Sequence, residues 1–307
     1  MLLGFCALAC QPRLDEPGEV VAPAGAGVDL REGGPWAVAL HPVQVPARFT
    51  DVIHTAVYYP SDSGGNVAGG GPWPAVILLQ EDGFSTQTYE GVAQHLAGWG
   101  MVVVLPSHPR DLVASAPDNA LWAHNFLMDL SASPDNFLTG GLDISHTSLV
   151  RYLTTSEDIS LIEQDPRFTS LTLVGANPGS GSRSLLSATS LLAIDGGRDC
   201  VGDPGVGWDE YTMYRVLATV EGMSHPQLAG GDQEAVDCIA DPSACLTDSC
   251  APLLSGEEAT RRVWGLLTAF QRQVLLGEVQ NWGQLATEWT GLVIEEQQAG
   301  GTPTPTP

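Results

Sequence analysis

Lysine is absent from this chain, and all 12 basic residues are arginine. Charge of either sign is scarce, since charged residues make up only 16% of the 307. The net charge of -24 therefore reflects few bases rather than many acids. A basic footprint for nucleic acid is missing, and so is the composition of a disordered acidic chain. The acid excess repels anionic headgroups and polyanionic substrates. No run is long and apolar enough to span a bilayer. What is present is 43% hydrophobic residues in a chain long enough for a sizeable core.

The two ends read differently from the body. Met1 to Cys10 (MLLGFCALAC) is apolar and short, like the end of a secretory h-region without its basic start. Ala7-Leu8-Ala9-Cys10 resembles a bacterial lipobox, in which the cysteine is lipidated, with Ala7 where leucine is preferred. A plain signal remnant or a misread start is the alternative reading. The lipobox and signal readings place the protein outside the cytoplasm, either held in the cell envelope through Cys10 or secreted. Membrane contact is expected only through that anchor. Residues 11–34, rich in Pro, Gly, Ala and acids, suit a flexible tether. Residues 299–307 end in a proline-patterned tail expected to be disordered, so the folded domain is expected over 35–298.

Cysteine usage fits export. Cys200, Cys238, Cys245 and Cys250 match no zinc spacing, and no histidine stands among them at ligand distance. An even number in an exported chain favours two disulfides, with three connectivities open; free buried thiols are the alternative.

The body alternates strand-like and helix-like segments. Trp36–Val45 and Thr50–Tyr59 read as strands, and Trp73–Gln80 is a short run apolar on both faces, as buried parallel strands are. Tyr89, Val92, Ala93, Leu96 and Ala97 keep helical spacing behind a Ser85 or Thr86 cap, and Met101–Leu105 is a second buried strand. That is a βαβ unit. A short helix follows around Leu121–Leu130, and residues 143–164 read as a longer one stopped by Asp165-Pro166. Leu171–Gly175, Leu191–Asp195 and Tyr214–Val220 read as strands. Ser255-x-x-Glu258 is a capping box that opens a helix closed by Gly277. The expected fold is α/β, with a mainly parallel central sheet and helices on both faces.

In open α/β sheets, ligands bind beyond the carboxyl ends of the strands. Asp199 follows one late strand and His225 the next, in the order in which α/β-hydrolases place the last two members of a triad. Gly222-x-Ser224-His225, Gly196-x-x-Asp199, Gly83-Phe84 and Pro106-Ser107-His108-Pro109 together resemble the α/β-hydrolase superfamily. The resemblance is to the branch of dienelactone hydrolases, platelet-activating-factor acetylhydrolases and polyester hydrolases, and it covers roughly residues 36–290. It implies that Phe84 lies in the turn whose backbone N–H helps form the oxyanion hole.

The nucleophile elbow departs from that pattern. The family carries Gly-x-Ser-x-Gly directly after a strand. Laid on Gly175-Ala176-Asn177-Pro178-Gly179, the motif puts Asn177 at the nucleophile and Pro178, which has no N–H, at the second oxyanion donor. Losing one such donor costs on the order of 10²–10³ in rate. The stretch from Asn177 to Asp199 is also short of the additional strand and helix that the family fits there. The alternative is a shifted elbow, Ser180-Gly181-Ser182-Arg183-Ser184, which offers Ser182 to His225 with Asp199 orienting the imidazole.

The expectation is therefore an exported α/β-hydrolase-fold protein that binds a small ester or apolar ligand without catalysis; the alternative is a working carboxylic-ester hydrolase. Neither reading calls for a cofactor or a metal. His41, His54, His95, His108, His124 and His146 match no catalytic or ligand pattern and read as surface or core residues. Arg261-Arg262 reads as a solvated helix face.

Overall fold

A computed structural model describes residues 28–46, 52–80, 86–106, 116–152, 165–175, 190–197, 213–228, 253–298 and 304–305. Among these residues the centre is one mixed sheet of ten strands in the order β1-β2-β4-β3-β5-β6-β7-β8-β9-β10. The outer hairpin is β1 (Ala37–Pro46) and β2 (Val52–Ser61), antiparallel to each other, with β2 antiparallel to β4 (Val102–Pro106). From β4 the sheet runs parallel through β3 (Trp73–Leu79), β5 (Leu142–Tyr152), β6 (Ser170–Val174), β7 (Ser190–Gly196) and β8 (Arg215–Val220). It closes antiparallel with β9 (Leu292–Gln297) and the two-residue β10 (Thr304–Pro305).

Two apolar layers sandwich this sheet, which is why its inner strands are apolar on both faces. Val76 and Leu78 of β3 enter one layer with Tyr89 and Leu96 of α1 (Thr86–Gly98) and Leu266 and Phe270 of α4 (Gly256–Leu276). Leu228 of α3 (His225–Leu228) and Trp282 of α5 (Trp282–Glu288) complete that layer. Ala75, Ile77 and Leu79 enter the other with Ala120, Ala123 and Leu127 of α2 (Ala116–Ala132). Burying one such Leu or Ile contributes about 1.5–3 kcal/mol.

Helix α4 begins where its sequence says it should. The Ser255 hydroxyl accepts from the Glu258 N–H at 3.2 Å, and Glu257 and Glu258 stand in the first turn, where the helix dipole favours negative charge. It ends at Gly277, left-handed at φ 70°, whose N–H reaches the Arg272 carbonyl.

Three readings are corrected. The first half of the expected 143–164 helix is strand: Leu142–Tyr152 forms β5, paired with β3 on one side and β6 on the other. Residues 28–34, expected to be part of a flexible tether, instead form a packed strap. Leu30 is buried in the α1/α4 layer, its carbonyl accepts from His95 Nε2, and the Glu32 carbonyl accepts from Trp99 Nε1. Finally, Thr304–Pro305, placed in the disordered tail, pairs with Glu296 and Glu295 of β9.

Candidate functional site

The carboxyl edge of the parallel strands carries Gln80 after β3, Tyr152 at the end of β5, Gly175 after β6, Gly197 after β7 and Glu221–Ser224 after β8. The last two segments touch. Gly197 N–H donates to the Val220 carbonyl at 2.9 Å, and a Cβ on Gly197 would lie 3.0 Å from the Glu221 Cα. The acid loop and the histidine loop therefore start backbone against backbone. A side chain at that crossing would push the Glu221 backbone back by a few tenths of an ångström.

The histidine loop is held from four directions. Met223 N–H turns back onto the Val220 carbonyl (3.3 Å), and Glu221 N–H donates to the Gly291 carbonyl (2.7 Å). The Gly222 carbonyl accepts from both Leu253 N–H (2.7 Å) and Leu254 N–H (3.2 Å), just before α4 begins. Gly222 takes φ +76°, the left-handed region that glycine reaches without strain. Gln227, buried on α3, completes the set: its Oε1 accepts from Ser224 N–H at 3.0 Å and its Nε2 donates to the Leu254 carbonyl at 2.8 Å. This network fixes the backbone from which His225 opens α3.

At the β5 end the edge is filled rather than open. Tyr152 is fully buried and meets Tyr89 edge to face at 4.8 Å. Burial pushes its hydroxyl far above the usual range, so it stays protonated and transfers no proton near neutral pH. Arg151, the residue before it, is equally buried, between Leu79 of β3 and Leu173 of β6 in the register. The Gln80 carboxamide is also buried, and its Oε1 meets no donor among the described residues.

Phe84, Asn177, Pro178, Ser182 and Asp199 lie outside the described residues, as do Cys10, Cys200, Cys238, Cys245 and Cys250. Of His225 only the backbone position is described. Sequence reasoning missed Gln227, Tyr152 and Tyr89 as residues of this edge. Tyr152 was hidden inside an expected helix, and no periodicity marks Gln227 in a four-residue helix.

The other described histidines are packed or exposed side chains. His95 is buried against Trp264 and His124 against Phe168, while the exposed His41 ring covers Phe137. His146 pairs with Asp143 at 2.6 Å at the opposite, amino end of β5. The Arg261-Arg262 pair is not simply solvated: Arg261 pairs with Glu32 of the strap, and the largely buried Arg262 donates to Glu258 and to the Thr290 carbonyl at 2.7 Å. Among the described residues, no group of three or more His, Cys, Asp or Glu could hold a metal ion, and no helix is long and apolar enough to cross a membrane. Compared with protein-family models and with curated proteins, the chain matches none.

Proposed function

We propose that this chain is an exported α/β-hydrolase-fold protein that has lost serine-hydrolase chemistry and acts by binding a small ester or apolar molecule at the carboxyl edge of its sheet. The order of the strands supports the family reading. β5 to β8 run parallel and consecutively, with the Asp199 segment after β7 and the His225 segment after β8. The family fits one additional strand between its elbow strand and its acid strand. On the family reading β6 takes that place and β5 becomes the elbow strand, a count that the strand order β5-β6-β7-β8 supports.

One observation carries the loss of catalysis. On this reading no Gly-x-Ser-x-Gly pattern follows the elbow strand: after Tyr152 the sequence runs Leu153-Thr154-Thr155-Ser156 and holds no glycine before Gly175. An elbow needs small residues around its nucleophile for the sharp strand-to-helix turn, and β5 ends instead in the buried Arg151 and Tyr152. Ser182 then follows β6, outside the elbow. Binding remains open to the molecule because the acid and histidine loops keep a closely fitted base. Export, with Cys10 either lipidated or lost with a signal segment, remains part of the reading on the sequence grounds above.

A fluorophosphonate probe on the purified protein, followed by adduct mapping, tests this. The expected result is no serine adduct. Stoichiometric labelling at Ser182 that disappears in His225→Ala would establish the hydrolase instead.

A further inference from the structure

The layer between the sheet and α4 is apolar except along one seam. Ser148 of β5 and Ser170 and Thr172 of β6 are all fully buried on the α4 side of the sheet, where neighbouring positions are Val150, Val174 and Leu192. The two serines satisfy each other, with Ser170 Oγ donating to Ser148 Oγ at 2.7 Å. Their small side chains leave the seam shallower than a Val or Leu pair would.

Two residues of α4 face this seam one turn apart. Gln271 is fully buried, and its Nε2 donates to Thr172 Oγ1 at 3.1 Å. Its Oε1 has no donor among the described residues. Turning the amide over does not help, because the Thr172 hydroxyl can serve only one end of it and the other end becomes the orphan. Thr268 is also fully buried, three residues earlier and hence on the same side of the helix, and its Oγ1 has no partner among the described residues either. A helical threonine ordinarily falls back on the carbonyl four residues earlier; here it does not.

Leaving two adjacent buried polar groups unpaired is costly, and native interiors almost never do so without an ordered water. An orphan acceptor beside an orphan hydroxyl calls for a small group that both donates and accepts. We propose that a buried water molecule is bound between α4 and the β5–β6 seam, donating to Gln271 Oε1 and hydrogen-bonding to Thr268 Oγ1. It belongs to the docking of α4 on the sheet. The same helix begins two residues after Leu254, whose backbone with that of Leu253 grips the histidine loop.

The isosteric change Thr268→Val gives opposite signs for the two cases. With the water bound, the variant strands it beside an apolar wall, and Tm falls by about 2–4 °C. If the site is dry, removing an unsatisfied hydroxyl raises Tm, and the proposal fails. In a Gln271→Met background the Thr268→Val penalty disappears if one water joins the two residues; an unchanged penalty overturns the bridge. The full-length wild-type protein supplies an independent readout that does not depend on a variant folding. Nuclear Overhauser transfer from a long-lived water to the Gln271 side-chain amide and the Thr268 methyl group is expected, and its absence with both signals resolved overturns the proposal.

Discussion

The carboxamide of Gln227 donates to the Leu254 carbonyl at 2.8 Å while accepting from Ser224 at 3.0 Å, so one buried side chain ties the histidine loop to the start of α4. Replacing it with an apolar residue of similar size leaves a buried N–H and a buried carbonyl unpaired. Gln227→Leu is expected to destabilise the protein by on the order of 2 kcal/mol, read as a lower urea midpoint. The loss should be local as well as global. Amide exchange at Ser224 speeds up well beyond that at Leu173 in β6. Equal protection at Ser224 in both proteins would show that the backbone alone holds the turn.

Left-handed glycines in this fold differ in what surrounds them. Gly277 has φ +70° with nothing within 4 Å of an added Cβ, whereas at Gly222 (φ +76°) that atom would lie 3.0 Å from the Leu253 Cβ. Both alanine variants carry the backbone cost of about 1–2 kcal/mol. Only Gly222→Ala also crowds a neighbour, and that neighbour is pinned by its own hydrogen bond to Gly222. Thermal melts should therefore rank Gly222→Ala clearly below Gly277→Ala. The reverse order would mean that Leu253, which is exposed, moves aside freely.

The strap makes the true amino boundary of the domain measurable. Arg31 lies over the Trp289 ring at 5.1 Å and pairs with Asp29 at 2.8 Å, and a side chain at Gly34 would collide with the Gly98 carbonyl. A chain starting at Val28 keeps every one of these contacts. A chain starting at Pro35 loses the burial of Leu30, worth about 1.5–3 kcal/mol, and the two carbonyl acceptors for His95 and Trp99. Chemical denaturation is expected to show the first truncation close to the full chain and the second markedly weaker. Equal midpoints for the two would return residues 28–34 to the tether.

That strap and β5 mark where the sequence stopped being legible. Residues 28–34 carry one apolar anchor among Gly, Asp, Glu and Arg, and a single Leu sets no period. In β5 the hydrophobic pattern is broken by residues buried against type. Ser148 and Arg151 are fully buried, so the strand neither alternates nor reads as an apolar run. Its pairing with β3 also shifts register between Pro74 and Ala75, which throws the first half out of phase with the second. Strands β3, β4 and β7 had no such interruptions, and β6 and β8 bury Ser170, Thr172 and Arg215 but keep short apolar runs, so their order along the chain was readable from those runs and turn residues. The positions of the Asp199 and His225 segments followed from that order. On the proposed family reading the elbow did not, because locating it requires counting a strand that looked helical.

His95 gives the acid limb of stability a recognisable shape. Its ring is buried against Trp264, and burial pulls its pKa from 6.5 down to about 4, opposed in part by the hydrogen bond to the Leu30 carbonyl. The folded state thus holds the imidazole neutral while the unfolded chain protonates near 6.5. Unfolded protein binds the extra proton between those two values, so stability falls as pH drops from 6.5 to about 4, by on the order of 3 kcal/mol in all. Below about 4 both states are protonated at this site and its contribution stops changing. The lowered carboxylates take over there: Asp29 beside Arg31, Asp165 beside Arg167 and Asp143 with its Ser145 and His146 partners, each losing its stabilisation as it protonates. His95→Gln keeps a donor for Leu30 but has nothing to titrate. Urea unfolding at pH 7, 6, 5 and 4.5 should give a falling midpoint for the wild type and a flatter profile for the variant, and parallel profiles would place the acid sensitivity elsewhere.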